Sequence, residues 1–420
     1  MSSIISLNDV ITGALQHILE AKFPRCEYRY NIKKASAKGD NYIGEVFRIF
    51  VEVNANRDKQ FKLILKLPPQ NLIRRKQFFA RPCFLRESLA YEEFLPIVNT
   101  FQITKGILPI NPQSFHEYAE CYYTLTDEMN EAIFMEDLCD KNFDIFNRFE
   151  QLTMEHVTLV LRIYAKLHAV SFAIKDQKPE LFEKFRDIKD IFQQRKDDSQ
   201  LAVYFEELKK STLACVYEND KSHWNKLHEY FEKSTFFELI LPLIDGKLNE
   251  PHAVICHGDC WNNNIMFKHE NEKVTEARLI DWQIMRYASP ITDLAYFIFS
   301  CTTQEFRINN YELMLDTYYR EFEQHVKRLG SEPKNLFSRD TFNTELKKKG
   351  AIGLLLAMIV LPIATTKTEN APNLEELSEK IEAGATTDLV GAGFLSDSNV
   401  YDYTKRMREV VLDVIDLGYI

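Results

Sequence analysis

His257-Gly258-Asp259-Cys260-Trp261-Asn262-Asn263-Asn264 is followed, 17 positions past its last amide, by the carboxylate of Leu279-Ile280-Asp281-Trp282-Gln283. Four residues separate Asp259 from Asn264. An acid, an amide and a second acid on two neighbouring loops suit chemistry on a phosphate chain. One carboxylate takes the proton of an attacking hydroxyl. The amide oxygen and the other carboxylate hold a divalent cation, which prefers oxygen ligands and keeps part of its water shell.

The spacing resembles the protein-kinase catalytic loop H-R-D-x-x-x-x-N and the hairpin that ends in the metal-holding Asp of D-F-G. On that pattern Asp259 is the catalytic base, and Asn264 and Asp281 bind Mg²⁺. Asn262 and Asn263 compete for the metal role, but only Asn264 has the right gap from Asp259. Ala277-Arg278-Leu279-Ile280 reads as a strand delivering Asp281 to a cleft. Trp-Gln in place of Phe-Gly argues against a mobile D-F-G switch. His257 is expected to support the loop by hydrogen bonding, and Asp293 to hold the loop from a helix start.

Upstream, Glu27–Ile32, Glu45–Val51 and Phe61–Lys66 read as strands, the third stopped by Pro68-Pro69. Lys66 is placed to reach phosphates with Glu87 as its carboxylate partner. Lys62 is its rival on the same face, and the choice rests on position just before the prolines. The turn Lys38-Gly39-Asp40-Asn41 lies between the first two strands, where backbone N–H groups can cradle phosphate. A helix opens around Pro82, with Phe84, Ser88, Tyr91 and Leu95 on one face. Two more strands, Tyr122–Leu125 and Ala132–Met135, run into a connector, Glu136-Asp137-Leu138. Beyond it the periodicity is helical, including one long amphipathic helix through Val157, Leu161, Leu167 and His168, and a last one through Met407, Val410 and Val414. The fold expected is α+β and bilobal, protein-kinase-like, with a small β-rich lobe over residues 1–134 and a larger helical lobe over 135–420. Residues 365–398, rich in Asn, Glu, Thr and Gly, read as a surface excursion.

Composition narrows the partners. The 420-residue chain is 45% apolar and carries a net charge of −10, which argues against nucleic acid or an anionic membrane surface. The run Ala351–Ala364, interrupted by Pro362, is too short to span a bilayer. The N-terminus lacks the basic start and apolar run of a signal peptide, and eight scattered cysteines form no framework, so a cytoplasmic setting with free thiols is expected. Cys256 and Cys260 flank His257 without a second ligand pair and read as loop packing, not a zinc site.

Taken together, Lys38–Tyr42, Leu65-Lys66, Phe84–Glu87, Met135–Leu138, Tyr164–Ala169, His257–Asn264 and Ile280–Gln283 resemble the ecdysteroid kinase-like family, within the choline kinase and aminoglycoside phosphotransferase-like small-molecule kinases. The last two segments are the specific ones. The resemblance implies ATP- and Mg²⁺-dependent phosphorylation of a hydroxyl on a small molecule, an ecdysteroid or related steroid-like alcohol. It also implies nucleotide-base binding at the connector, through Glu136 and Leu138. Gly44 departs from the Ser usual in the phosphate loop, and Trp282 from the more frequent Phe. Two other readings stay open: a choline-type amino-alcohol kinase, and a silent kinase-like module that binds a hormone or nucleotide. Joint presence of Lys66, Glu87, Asp259, Asn264 and Asp281 favours catalysis over the module.

Overall fold

The computed structural model describes residues 7–35, 44–53, 60–216, 220–374, 376 and 398–420. The phosphate-loop residues Lys38, Gly39, Asp40 and Asn41 lie outside the described residues, as does most of the 365–398 segment. Five antiparallel strands form one sheet: β1 (Tyr28–Lys34), β2 (Glu45–Val53), β3 (Gln60–Leu67), β4 (Cys121–Leu125) and β5 (Ala132–Glu136), in the order β1-β2-β3-β5-β4. Side chains alternate across a strand. Phe47, Ile49 and Val51 of β2, with Leu63 and Leu65 of β3, therefore share one buried face. They pack on Ile11, Leu15, Ile18 and Leu19 of helix α1 (Asp9–Lys22), whose first turn is capped by the Asn8 side chain accepting from Ile11 N–H. Val46, Arg48, Ile64, Lys66 and Met135 occupy the opposite face and line a cleft.

Three helical pieces follow β3: α2 (Leu72–Gln77), α3 (Ala80–Leu89) and α4 (Leu95–Thr104). Pro82 falls in the first turn of α3, as the sequence indicates. Residues Ala90–Phe94 form a π turn that joins α3 to α4. Pro96 explains it, because a proline has no N–H for the carbonyl one α-turn back and the winding widens there. The apolar face of this continuous rod, Phe84, Tyr91, Phe94, Leu95, Val98 and Phe101, belongs to the large core of the helical body rather than to the core between sheet and α1. The boundary expected at 134/135 lies within β5, and the Glu87-bearing rod before it packs into the core formed by what comes after.

Beyond β5 a short 3₁₀ turn (Leu138–Lys141) leads through β6 (Phe143–Ile145) to α5 (Met154–Gln177). α5 is the one described helix long and apolar enough to cross a membrane, and 83% of its apolar window is buried inside the protein. It packs against the helix Gln304–Arg328 as a core element. The helix Ile352–Ala364 carries Pro362 within its last turn instead of stopping at it, and packs on the helix Ile291–Cys301. All eight cysteines are free, and Cys256 and Cys260 are buried packing residues beside the loop they flank.

Gly353 is where the last two helices touch: a Cβ there would lie 2.3 Å from Phe299 Cδ2 and 3.0 Å from the Ala295 carbonyl oxygen. Gly353→Ala is expected to destabilise by about 1–3 kcal/mol through overpacking, read as a lowered melting temperature. An unchanged melting temperature would contradict so close an approach.

Candidate active site

Two short paired segments bring the motif residues together. β7 (Val254–Cys256) runs into His257-Gly258-Asp259, and β10 (Arg286–Ala288) follows the turn after Asp281; the two strands pair antiparallel, Arg286 opposite Cys256. Between them, β8 (Ile265–Glu270) and β9 (Lys273–Leu279) form a hairpin with Ile265 opposite Leu279. An antiparallel hairpin returns the chain to where it began. The 17-residue gap therefore puts Asn264 and Asp281 side by side, with Ile280 N–H donating to the Asn264 carbonyl at 3.0 Å. Asp281 itself adopts φ +70°, a left-handed conformation that Asp tolerates better than most residues.

The catalytic-loop scaffold is a buried polar network. Asp293 Oδ2 accepts from His257 N–H at 2.7 Å, and Oδ1 from Gly258 N–H at 2.9 Å. His168 Nε2 lies 3.2 Å from the same carboxylate, with Tyr318 on its other ring nitrogen. His168, expected to be core, is thus a buried support of the loop. His257 Nε2 donates to the Ile280 carbonyl at 3.0 Å, and Nδ1 accepts from Asp259 N–H at 3.3 Å. That pattern fixes a neutral ring, and burial holds its pKa below the ordinary histidine value. Gly258 has φ +90°, and a Cβ there would meet the Ile284 carbonyl oxygen at 2.1 Å, so only glycine fits.

Asp259 is almost fully buried. Tyr296 OH donates to its Oδ1 at 3.2 Å and Gln283 Nε2 to its Oδ2 at 3.4 Å. Asn264 Nδ2 donates to the Asp259 carbonyl at 3.1 Å, which commits the amide nitrogen and leaves the amide oxygen for a cation. Burial first, then the charge of Asp281, pushes the Asp259 carboxyl up to about 6.

Lys66 Nζ bonds Glu87 Oε2 at 2.6 Å and also contacts the Asp281 carboxylate. Burial alone would lower the lysine, but Asp281 and Glu87 outweigh it and hold the ammonium above its ordinary range. Burial, with Asp281 adding to it, pushes Glu87 upward against the pull of Lys66. Lys62, the rival, is instead at the rim on Asp140, 2.6 Å away. These groups line the polar end of a cavity of about 200 Å³ whose other end is apolar, with Ile64, Met135, Leu138, Met266 and Ile280. Glu136 also borders it, though its side-chain Oε1 is engaged by Glu120 N–H at 2.9 Å.

The structure therefore brings together Lys66, Glu87, Glu136, Leu138, Asn264 and Asp281 around one cavity, with Asp259 beside it through Asn264. Arg48, Gln283 and Tyr296 were not singled out by the sequence. Arg48 closes the cavity rim by forking onto Asp137 at 2.5 and 3.2 Å. No motif marks it; its place on the cleft parity of β2, two residues from Val46, is the only signal.

The raised carboxyl has a stability consequence with a definite sign. Folded Asp259 titrates near 6 against 3.8 for the ordinary group. Its contribution is therefore intact below about pH 4 and lost as pH rises through 6, by up to about 3 kcal/mol. Asp259→Asn is expected to be more stable than the parent at pH 8 and to lose that advantage at pH 4, read by denaturant unfolding at both values. Equal stability at pH 8 would mean the carboxylate is not destabilised by its surroundings.

Comparisons with known proteins follow the same lines. The sequence model of the ecdysteroid kinase-like family matches residues 38–331, well over half of the chain. No curated protein sequence matches significantly. Among solved structures, the GDP complex of wild-type aminoglycoside 2′-phosphotransferase-IIIa is 11% identical, covering 97% of this chain and 99% of that one at a TM-score of 0.42. The GDP and kanamycin complex of an aminoglycoside 2″-phosphotransferase is 11% identical over 96% and 98%, at 0.35. Type VIII aminoglycoside-3′-phosphotransferase is 16% identical over 84% and 99%, at 0.33. With the family match spanning strands β2 to β5, the connector, the catalytic loop and the Asp281 turn, the chain belongs to the ecdysteroid kinase-like family.

Proposed function

We propose that this small-molecule kinase uses MgATP to phosphorylate a hydroxyl of an ecdysteroid or related steroid-like alcohol. The observation that carries the reading is the convergence of Lys66, Glu87, Asn264 and Asp281 on one cavity with Asp259 beside it. Glu87 and Asp281 share a single ammonium, and a third carboxylate, Asp259, lies close enough to Asp281 to feel its charge. That excess of negative charge, with a free amide oxygen among it, is a donor set suited to a divalent cation. Asn264 and Asp281 would hold Mg²⁺, which would supply positive charge to offset that developing on the transferred phosphoryl group.

The chain's own groups account for the rest. Lys66, held by Glu87, pairs with the phosphates. The cavity wall at Met135–Leu138 takes the base. Asp259 orients the acceptor hydroxyl and takes its proton as the new O–P bond forms, ADP leaving. A carboxyl near 6 is a better base than an ordinary one while still ionised at neutral pH. The acceptor class rests on family membership.

The test is ADP release with a panel of hydroxylated steroids, comparing the parent with Asp259→Ala. Steroid-dependent ADP release that vanishes in Asp259→Ala supports the reading; nucleotide binding with no Asp259-dependent release favours the silent module. Turnover is expected to fall as pH drops through about 6, because the base must be ionised. Tyr296→Phe removes a donor that favours the ionised form and is expected to move that limb to higher pH; a limb that stays put would separate it from Asp259. Asp281→Asn is expected to abolish turnover by weakening Mg²⁺ binding, whereas Asp259→Asn lowers kcat and leaves ATP affinity near normal. Equal loss of ATP binding in both would overturn this division of roles.

A further inference from the structure

Arg86 sits next to Glu87 on α3 and takes no part in the chemistry described above. Its guanidinium donates from Nη1 to the Met285 carbonyl at 2.6 Å and from Nη2 to the Lys189 carbonyl at 2.7 Å. Both acceptors are backbone groups of segments far along the chain. Met285 closes the turn that begins at Asp281, its N–H bonded to the Trp282 carbonyl at 3.0 Å. Lys189 precedes Asp190, the N-cap of the helix Ile191–Gln194. Asp190 in turn lies 3.1 Å from Arg286 Nε, an ion pair with both side chains buried. Arg286 leads β10, directly opposite Cys256 at the root of the catalytic loop, and its Nε is 3.2 Å from where a Gly258 Cβ would stand.

Arg86 thus joins the Glu87 helix to the far end of the Asp281 turn. A rigid planar fork meets the two carbonyls from two separate nitrogens held at fixed separation, where an ammonium has a single nitrogen. The apolar face of the same helix is already sunk in the core of the helical body through Phe84, Tyr91 and Phe94. With hydrophobic packing on one side and the Arg86 fork on the other, α3 has no freedom to swing Glu87 away from Lys66.

Resting on the nucleotide-site reading above, we infer that Arg86 is a positioning residue. It locks Glu87 and the Asp281 turn into one preassembled unit, so that Lys66 is offered to the nucleotide without an activating partner. Arg86 acts through its neighbours and touches no substrate.

The experiment is a double-mutant cycle read by MgATP affinity in the absence of any acceptor, using calorimetry on the full chain. Arg86→Gln is expected to raise the MgATP Kd about tenfold in the parent background. In a Glu87→Gln background it is expected to change Kd less than about twofold, because the group it positions is gone. Arg86→Lys, which reaches one carbonyl at a time, is expected to fall between parent and Arg86→Gln; should Arg86→Gln not fold, Arg86→Lys runs the same cycle. A purely structural arginine would lower the melting temperature while leaving Kd alone, or would weaken MgATP equally in both backgrounds. Either result overturns the inference. MgATP binding that is absent from the parent, or indifferent to Asp281→Asn, would instead defeat the nucleotide-site reading itself.

Discussion

One ammonium shared between two carboxylates organises the cleft. Lys66 comes from the sheet, Glu87 from the helix that follows it, and Asp281 from a turn some two hundred residues later; Lys66 and Glu87 are buried and Asp281 is half-buried. Charges taken this far from water are tolerated only when paired and hydrogen-bonded. The arrangement therefore has little room to relax: moving any one of the three leaves another buried without its partner. It also leaves a third carboxylate, Asp259, pushed toward neutrality by burial first and by the charge of Asp281 second. The same shortage of positive charge that adds to burial in raising Asp259 leaves the donor set suited to a cation.

Backbone geometry carries as much of the site as the side chains do. The β8–β9 hairpin makes Asn264 and Asp281 neighbours by closing on itself, and the β7–β10 pair ties the catalytic loop to the far end of the Asp281 turn. Asp293 then satisfies two loop amides at once, and Gly258 supplies the φ no other residue adopts without strain. Trp282 is fully buried, edge-on to His257 with ring centroids 4.8 Å apart, and flanked by Phe115 and Phe94. A large ring at this depth acts as a peg. It fixes Asp281 one residue before it, where a smaller aromatic followed by glycine would permit rotation.

Most of this geometry was legible because its signals are local. Asp259, Asn264 and Asp281 are set by spacing around one hairpin, and position just before the proline stop, not strand alternation, was enough to prefer Lys66 over Lys62. Glu87 followed from the face of a single helix. What stayed hidden depends on contacts across long sequence separations. Tyr296 and Gln283 are anonymous in a chain with 19 tyrosines, and only folding shows that they hold the two oxygens of Asp259. Arg48 is an ordinary strand arginine until the connector curls back to present Asp137. His168 gave the correct impression of a core residue, yet periodicity has no means of showing that its ring backs the Asp293 carboxylate. The π turn at Ala90–Phe94 is half visible, since Pro96 forbids a regular bond there but does not say whether the rod breaks or widens.

The widening has a structural consequence. Had the rod broken at Pro96, α3 would be a short helix resting on the sheet alone. Because it continues into α4, Phe84, Tyr91, Phe94, Val98 and Phe101 form one apolar stripe buried with α5 in the helical body. Each such side chain contributes on the order of 1.5–3 kcal/mol of burial, so tilting the rod enough to withdraw Glu87 would expose several at once. That cost is far larger than the one hydrogen bond between Lys66 and Glu87 could repay. The order of the cleft is therefore inherited from the core beneath it: the hydrophobic stripe sets where Glu87 stands, Glu87 and Asp281 set where Lys66 stands, and burial, with the charge of Asp281 added to it, sets the basicity of Asp259.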